Sequence, residues 1–293
     1  MSDAMIAFIN TTFVPVGLML IMFSMGLTLR LGDFARVITD GRAPLAGLAG
    51  QLLAMPLLGL AIGILFRLPP ELALGIFILG ICPAGTTSNA LTFIARGNVA
   101  LAVVLTALSS LVTVFSIPVL LQWGLRHFGL EGTVPALSVA DTMLQLARIT
   151  VLPVAAGMLV CRFAPEAARK MSGWLRPVSM IVLFGVIAFA VGVSAEMVLA
   201  NLLNAGPAIW TMNIVAMAVG LGIGRACGVS SRDAMTLAIE VGVQNVTLAT
   251  FLTLTVLNSL PLAVTQNIYG VAMIVNTLLL VRWFRARFAG DAA

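Results

Sequence analysis

The sequence predicts an all-α integral membrane protein with about nine transmembrane helices. Of its 293 residues, 60% are hydrophobic and only 9% are charged, whereas a soluble domain carries roughly 25% charged residues. The apolar residues form long uninterrupted runs, and this continuity excludes the alternating pattern of a membrane β-barrel. Lipid is therefore the expected solvent for most of the chain, whose mean hydropathy is +1.11.

Each predicted helix corresponds to an apolar run that reaches, or nearly reaches, the roughly 17–25 residues needed to cross a bilayer. The runs cover residues 13–29, 44–66, 72–95, 99–123, 142–161, 177–198, 206–224, 233–258 and 261–281. The connections between them are short. We therefore expect a single transmembrane domain over residues 1–293, with function located among the helices.

The basic residues indicate the topology. When the predicted loops are assigned alternately to the two sides, 13 of the 16 Lys and Arg residues fall on one side. The positive-inside rule places that side in the cytoplasm. We predict a multi-pass protein of the cell's inner (plasma) membrane, with the N-terminus outside and the C-terminus cytoplasmic. The first span is expected to remain uncleaved, because residues 1–10 lack the basic region of a signal peptide.

This charge distribution also accounts for the net charge of +5 without a nucleic-acid partner. The lipid bilayer is the expected environment, and the sequence points to no obligate protein partner.

Two predicted spans, the third and the eighth, contain clusters of polar residues. The third includes CPAGTTSN (82–89) and the eighth includes LAIEVGVQNVTLAT (237–250). GTTSNALTF and GVQNVTLAT both place a polar residue and Asn after a glycine, and Thr follows in each. Because the two spans lie five helices apart, they cross in opposite directions. Such similarity between interrupted spans indicates the binding site of an inverted-repeat transporter; chance similarity between two kinked helices is the alternative.

Glu240 is the acid that lies deepest within a predicted span. An ionised carboxylate at the bilayer centre costs at least about 2.5–3.5 kcal/mol. Arg148, the only basic residue inside a predicted span, falls toward the outer end of the fifth. A bound cation or a proton is the expected partner, and a neutral structural Glu is the alternative. Other spans carry neutral oxygens, and hard cations prefer oxygen ligands, which favours a monovalent metal ion.

Four strings resemble the bile acid:sodium symporter family: FSMGLTLRLGDF (23–34), QLLAMPLLGL (51–60), CPAGTTSNALTFIARGNVAL (82–101) and IEVGVQNVTLA (239–249). The resemblance implies two crossed, discontinuous helices in a core domain and a panel domain that rocks against it. It also implies a nine-helix form, because the chain begins close to the second helix of ten-helix members.

By this resemblance, the core covers about 44–123 and 206–281, and the panel covers about 11–30 and 142–198.

The resemblance also implies two sodium sites and a site for an organic anion. The first sodium ion would be bound by Ser88, Asn89, Thr106 and Glu240. The second would be bound by Gln51, Glu240 and Gln244 with the backbone carbonyls of Val241 and Val243. Thr86, Thr87 and Asn245 would face the organic anion near the crossover.

Two positions depart from the family pattern. Ala102 replaces a hydroxyl residue that lies one turn before Thr106 in the family, so the first ion is expected to lose one oxygen ligand. Val275 stands where the family often has His, directly before Asn276. The second change alters the lining of the cavity and leaves the substrate open.

The predicted function is sodium-coupled import of a small organic anion by alternating access, with a bile-acid-like, steroid-like or carboxylate substrate and no enzymatic activity. A proton-coupled or export-type carrier of the same fold is the alternative. An intramembrane enzyme is disfavoured, because the predicted spans contain no His and Ser88 has no neighbouring base.

Overall fold

The computed structural model describes residues 8–34 and 41–288. Within these ranges every regular element is helical, and strand pairing is limited to one isolated antiparallel bridge between Ala84 and Gln244. Five of the described helices are long and apolar enough to cross a membrane. The predicted all-α membrane class is confirmed.

We number the principal described helices α1 to α10 in chain order. They are α1 (Val14–Gly26), α2 (Arg42–Leu65), α3 (Pro70–Ile81), α4 (Thr86–Ile94), α5 (Val99–His127), α6 (Val139–Phe163), α7 (Pro165–Ala226), α8 (Ser231–Gly242), α9 (Val246–Val256) and α10 (Leu260–Phe288). Three of them, α2, α6 and α9, contain a π-helical stretch, at Gly50–Ala54, Ala147–Val151 and Phe251–Val256 respectively.

The third predicted span is interrupted between α3 and α4, and proline accounts for the interruption. Pro83 has no N–H to continue the helix and disfavours helical geometry at the preceding residue. Cys82 accordingly adopts φ −75°, ψ 150°. Gly85 is also extended, with φ −111° and ψ 169°. Residues 82–85, which we call the first break, therefore expose backbone groups inside the membrane-spanning part.

The eighth predicted span is interrupted between α8 and α9 by a different device. Val243 ends α8 in an extended conformation with φ −112° and ψ 96°. Asn245 then starts α9, because its side-chain Oδ1 accepts a hydrogen bond from Leu248 N at 3.0 Å. We call residues 243–245 the second break. It is formed by a side-chain cap rather than by proline.

The long helix α7 differs from the prediction of separate spans at 177–198 and 206–224. It runs without interruption for 62 residues, which at about 1.5 Å per residue exceeds the roughly 30 Å hydrocarbon thickness. The predicted junction, 199–205, reads ANLLNA after Leu199 and is rich in good helix formers. Asn201 there donates its side-chain amide to Met197 O at 2.8 Å, within the helix. The predicted count of nine separate spans is not confirmed.

Small residues allow several helix pairs to pack closely. A Cβ added to Gly80 of α3 would lie 2.6 Å from the carbonyl oxygen of Met55 in α2, and Gly59 lies on the opposite side of the same contact. On α7, Gly220 and Gly224 lie one turn apart and face α8 in the same way. Close backbone approach at small residues is the usual basis of helix packing in lipid.

We predict opposite effects of alanine at two helical glycines. Gly80→Ala should lower stability by about 1–3 kcal/mol, because the new methyl group meets the Met55 backbone. Gly222→Ala is the matched control, since nothing lies within 4 Å of its added Cβ, and should stabilise α7 by up to about 1 kcal/mol. Thermal unfolding of both variants in the same detergent tests this. Equal stability of the two variants would contradict the proposed α2–α3 contact.

Candidate functional site

The two breaks meet and bond to each other. Ala84 pairs with Gln244 in the antiparallel bridge, and Asn245 N donates to Pro83 O at 2.9 Å. A Cβ added to Gly85 would lie 3.3 Å from the Cα of Asn245, so glycine permits this close approach. Gln51 and Gln244, which lie 193 positions apart in the sequence, are hydrogen-bonded to each other in the same buried site. We refer to this meeting point as the crossover.

The four residues predicted to bind the first ion lie together, with Thr106 of α5 at their centre. Its Oγ1 is 2.9 Å from Oε2 of Glu240, 3.4 Å from Oδ1 of Asn89 and 3.5 Å from Oγ of Ser88. Ser88, Thr106 and Glu240 are buried. We call these residues the Glu240 cluster; it joins α4, α5 and α8.

The Glu240 carboxylate is only partly satisfied by protein groups. Oε2 accepts from Thr106, but the buried Oε1 has no hydrogen-bond partner among the described residues. Ser88 directs its hydroxyl to Gly85 O at 2.7 Å, within the first break. A buried carboxylate oxygen without a donor is costly. The surrounding side-chain oxygens are the kind of ligands that a hard cation accepts.

Ala102 occupies the position of the missing hydroxyl and is fully buried. Its carbonyl oxygen lies 3.0 Å from Oγ1 of Thr106. The backbone of Ala102 therefore places an oxygen atom beside the Glu240 cluster, although its side chain has none.

Apart from Glu240, which is shared with the first site, the groups predicted to bind the second ion lie at the crossover. Gln51 lies in the π-helical stretch of α2 and donates Nε2 to Cys82 O and to Gln244 Oε1, each at 2.8 Å. Gln244 donates Nε2 to Val241 O at 2.7 Å. Single-turn π-helical stretches often occur at functional sites. The amides and the Val241 carbonyl are adjacent, and Val243 follows in the extended second break.

A cavity of about 680 Å³ adjoins the Glu240 cluster at Asn89. It lies between α1, α4, α5 and Ser179 of α7, and much of its wall is apolar, as at Met25, Phe93 and Val103. This size falls within the roughly 300–1,000 Å³ of small-molecule sites. The cavity therefore provides space for a small organic molecule next to the candidate ion site.

The polar lining of the cavity includes one cationic side chain that the sequence analysis missed. Arg30 and Asp33 are the charged residues among those that line it. Asp33 Oδ2 accepts the backbone N–H of Arg30 at 2.8 Å, whereas the Arg30 guanidinium forms no ion pair with the described residues. Both lie in FSMGLTLRLGDF, and the position of Arg30 just after an apolar span gave no signal beyond topology.

The predicted anion-binding residues separate into two groups. Thr86 lines the cavity at the first turn of α4. Thr87 and Asn245 are buried and are not among the residues that line it. The side-chain Nδ2 of Asn245 has no hydrogen-bond partner in the described part of the chain. Asn245 thus keeps a free donor at the crossover, while Thr86 alone of the three faces the cavity.

The ARGN sequence (95–98) joins the two interrupted spans at a second place. Asn98 caps α5 through Leu101 N and donates Nδ2 to Asp233 Oδ1 at 2.8 Å. Arg232 Nη2 donates to Gly97 O at 3.1 Å. The loop after α4 is therefore fixed to the first turn of α8. The sequence showed the motif but not its partners, which lie 135 residues away in the chain.

Comparison with known proteins places these features in a family context. The profile of the Sodium Bile acid symporter family matches residues 15–201, more than half of the chain. The match includes Gln51 and the first break, whereas α8 and the second break lie beyond it.

Curated relatives are similar over a larger share of the chain. An uncharacterized sodium-dependent transporter of Bacillus subtilis, YocS, is 30% identical over 239 residues, which cover 80% of this chain and 71% of the relative. A probable chloroplastic sodium/metabolite cotransporter of Arabidopsis thaliana, BASS1, is 32% identical over 230 residues, covering 78% and 56%. An ileal sodium/bile acid cotransporter of Cricetulus griseus is 28% identical over 251 residues, covering 83% and 69%. The chain spans about half the length of the plant relative.

We predict that Thr106→Val destabilises the protein by about 1–3 kcal/mol, because Glu240 Oε2 loses its buried donor. Thr113→Val is the matched control on the same helix, since the Thr113 hydroxyl donates only within α5, to Ser110 O at 3.1 Å. Thermal unfolding should be measured in potassium chloride, so that sodium does not contribute. Equal destabilisation by the two substitutions would show that the Thr106–Glu240 bond adds nothing.

Proposed function

The chain belongs to the Sodium Bile acid symporter family, and we propose that it is a sodium-coupled secondary transporter that imports a small organic anion by alternating access. The observation that carries this proposal is the Glu240 cluster. A buried carboxylate oxygen, for which the described residues supply no donor, lies among neutral oxygens from α4 and α5. The names of two relatives, sodium-dependent transporter and sodium/bile acid cotransporter, support the same coupling ion.

The first sodium ion binds, in this proposal, to Ser88, Asn89, Thr106 and Glu240. One carboxylate with neutral oxygens balances a single positive charge, which favours a monovalent over a divalent ion. Binding gives Glu240 Oε1 the partner that it otherwise lacks. The carbonyl of Ala102 or a water molecule then takes the coordination position of the hydroxyl that the family usually has.

The second sodium ion binds Gln51, Glu240 and Gln244 with the carbonyls of Val241 and Val243. The two glutamines now bond each other and the Cys82 and Val241 carbonyls through amide nitrogens. Because sodium is a hard cation that prefers oxygen ligands, and an amide NH2 group is not a ligand, ion binding requires both amides to turn their oxygens inward. The second ion therefore replaces an existing hydrogen-bond network, whereas the first completes one.

Coupling follows from the position of both ions at the crossover. Each ion joins residues from different helices, and its binding favours the conformation in which the two breaks are held together. A ligand shifts such an equilibrium only by its difference in affinity for the two states. With the breaks fixed, the first-turn N–H groups of α4 are preorganised to interact with an anion. The two breaks would be the equivalent parts of an inverted repeat.

The cavity is the proposed binding site of the organic anion. Thr86 and the first turn of α4 lie at one part of it, and Arg30 provides a cation at another. Between them the wall is largely apolar, which suits a bile-acid-like, steroid-like or other carboxylate substrate. In this proposal the cavity lies between the core and the panel, because α4 and α5 belong to one and α1 and Ser179 to the other.

The proposed topology places the N-terminus outside and the C-terminus in the cytoplasm of the cell's inner membrane. Arg30 and Arg96 then lie on the cytoplasmic side, at the ends of α1 and α4. The cavity reaches residues near both ends and would open toward the cytoplasm, the side where an importer releases its substrate.

We predict that Glu240→Gln abolishes sodium-dependent stabilisation and sodium-dependent uptake while the protein remains folded. Glu71→Gln is the matched control, because it removes the same charge from an exposed first turn of α3. The primary measurement is the thermal stability of each purified protein in sodium and in potassium, with and without a panel of organic anions. Saturable sodium binding should stabilise the unmodified protein by about 2.7 kcal/mol at one hundred times Kd.

Two outcomes would contradict the sodium assignment. Equal stability of the unmodified protein in sodium and potassium, over a wide concentration range, would favour the proton-coupled alternative. Unchanged sodium-stimulated uptake by Glu240→Gln would remove Glu240 from the ion site.

We predict that Arg30→Gln raises the KM of an anionic substrate about tenfold, because a charge-assisted contact in the cavity is lost. Arg225→Gln is the control, since Arg225 lies exposed in the last turn of α7 and does not line the cavity. The KM of each variant is measured from uptake kinetics at saturating sodium. An equal KM in both variants would place the anion's charge away from Arg30.

A further inference from the structure

The carbonyl of Gly242, the last residue of α8, is held by two side chains from other helices. Asn213 of α7 donates Nδ2 to it at 2.7 Å, and the Tyr269 hydroxyl of α10 donates to it at 2.9 Å. The last carbonyls of a helix have no partner within the helix, and lipid offers none. The protein therefore supplies this carbonyl with two donors directly beside the second break.

A third residue fixes the orientation of this pair. Asn276 donates Nδ2 to Asn213 Oδ1 at 2.9 Å, and it lies seven residues, about two helical turns, after Tyr269 on α10. Asn213, Tyr269 and Asn276 are all buried. We call these three residues the Gly242 clamp. Neither Asn213 nor Tyr269 belongs to the ion sites proposed above.

The clamp immobilises one peptide unit of the second break. The peptide group that joins Gly242 and Val243 is planar, so fixing both of its ends fixes the whole unit. Its N–H donates to Ile239 O at 2.8 Å, while its C=O accepts from Asn213 and Tyr269. The neighbouring peptide groups carry the carbonyls of Val241 and Val243. The directions of these two carbonyls then depend on only a few backbone torsions on either side of the fixed Gly242–Val243 peptide group.

The α7–α8 contact supports this arrangement. Gly220 and Gly224 bring α7 close to the backbone of α8, at Leu237 and Ala234. Asn213 lies on the same α7 face, seven residues before Gly220, and so reaches the end of α8. Met217, between them, contacts Gly242 so closely that a Cβ there would overlap it. The backbone of α8 is therefore held against α7 from its first turns to the break.

We propose that the Gly242 clamp positions the second sodium site, by holding the peptide unit between the Val241 and Val243 carbonyls. Asn213 and Tyr269 are positioning residues that act through the backbone of the second break and touch no ion. This inference rests on the proposed sodium coupling. It adds residues of α7 and α10 to the set that determines sodium affinity.

The test compares Tyr269→Phe with Thr277→Val. Both remove a buried hydroxyl from α10, but the Thr277 hydroxyl donates only within its helix, to Met273 O at 2.6 Å. The readout is the sodium concentration that gives half-maximal thermal stabilisation at constant ionic strength, with potassium as the replacing ion and no organic anion present. Tyr269→Phe should raise it about threefold to tenfold, since one neutral hydrogen bond to Gly242 is lost. Thr277→Val should leave it within about twofold.

Melting temperatures in potassium alone separate positioning from a purely structural role. Tyr269→Phe should lower these more than Thr277→Val, because it removes a hydrogen bond between two helices. A purely structural role would lower the melting temperature without changing the sodium dependence, whereas positioning changes both. Asn213→Ala, which removes the shorter bond to Gly242, should shift the sodium dependence at least as far as Tyr269→Phe. If the unmodified protein responds to sodium and both clamp variants respond at the same concentration, the clamp inference is wrong. If the unmodified protein gives no sodium response at all, the proposed function itself fails.

Discussion

The need to satisfy a buried carboxylate shapes the centre of this protein. Glu240 is buried, none of the ion pairs among the described residues involves it, and Thr106 donates to only one of its oxygens. Ser88 reaches the Glu240 cluster from the first turn of α4, which begins at the first break, and Thr106 reaches it from α5. The surroundings of the acid on α8 are therefore supplied by two other helices.

Interrupting two membrane helices releases backbone groups, and nearly every adjacent polar side chain in the site serves to satisfy them. Gln51 donates to the Cys82 carbonyl, Gln244 to that of Val241, and Asn213 with Tyr269 to that of Gly242. The breaks also satisfy each other at Pro83 and Asn245. Lipid demands such pairing of irregular backbone. Among the side chains of the site, pairing is incomplete at Glu240 Oε1 and Asn245 Nδ2 within the described part of the chain.

Local sequence was sufficient for features with a local cause. Continuous apolar runs predicted an all-helical membrane protein, and the polar cluster CPAGTTSN indicated the interruption of the third span. The same reasoning was wrong about α7, where residues 199–205 looked like a connection because hydropathy falls there. Their good helix formers and the Asn201 bond to Met197 continue the helix instead. Hydropathy measures the cost of burial in lipid, whereas helix continuation depends on backbone propensity and hydrogen bonding.

The sequence by itself determined which groups need partners: a carboxylate inside an apolar span, two interrupted helices and a set of neutral oxygens. Together with the family resemblance, it also indicated which of these groups belong to one site. Only the tertiary structure decided which partner each group received. The pairing of Ala84 with Gln244, Asn98 with Asp233, and Gly242 with Asn213 joins residues separated by up to 160 positions. Nothing in a local pattern specifies such pairs, because a hydrogen bond depends on distance and angle in the folded chain.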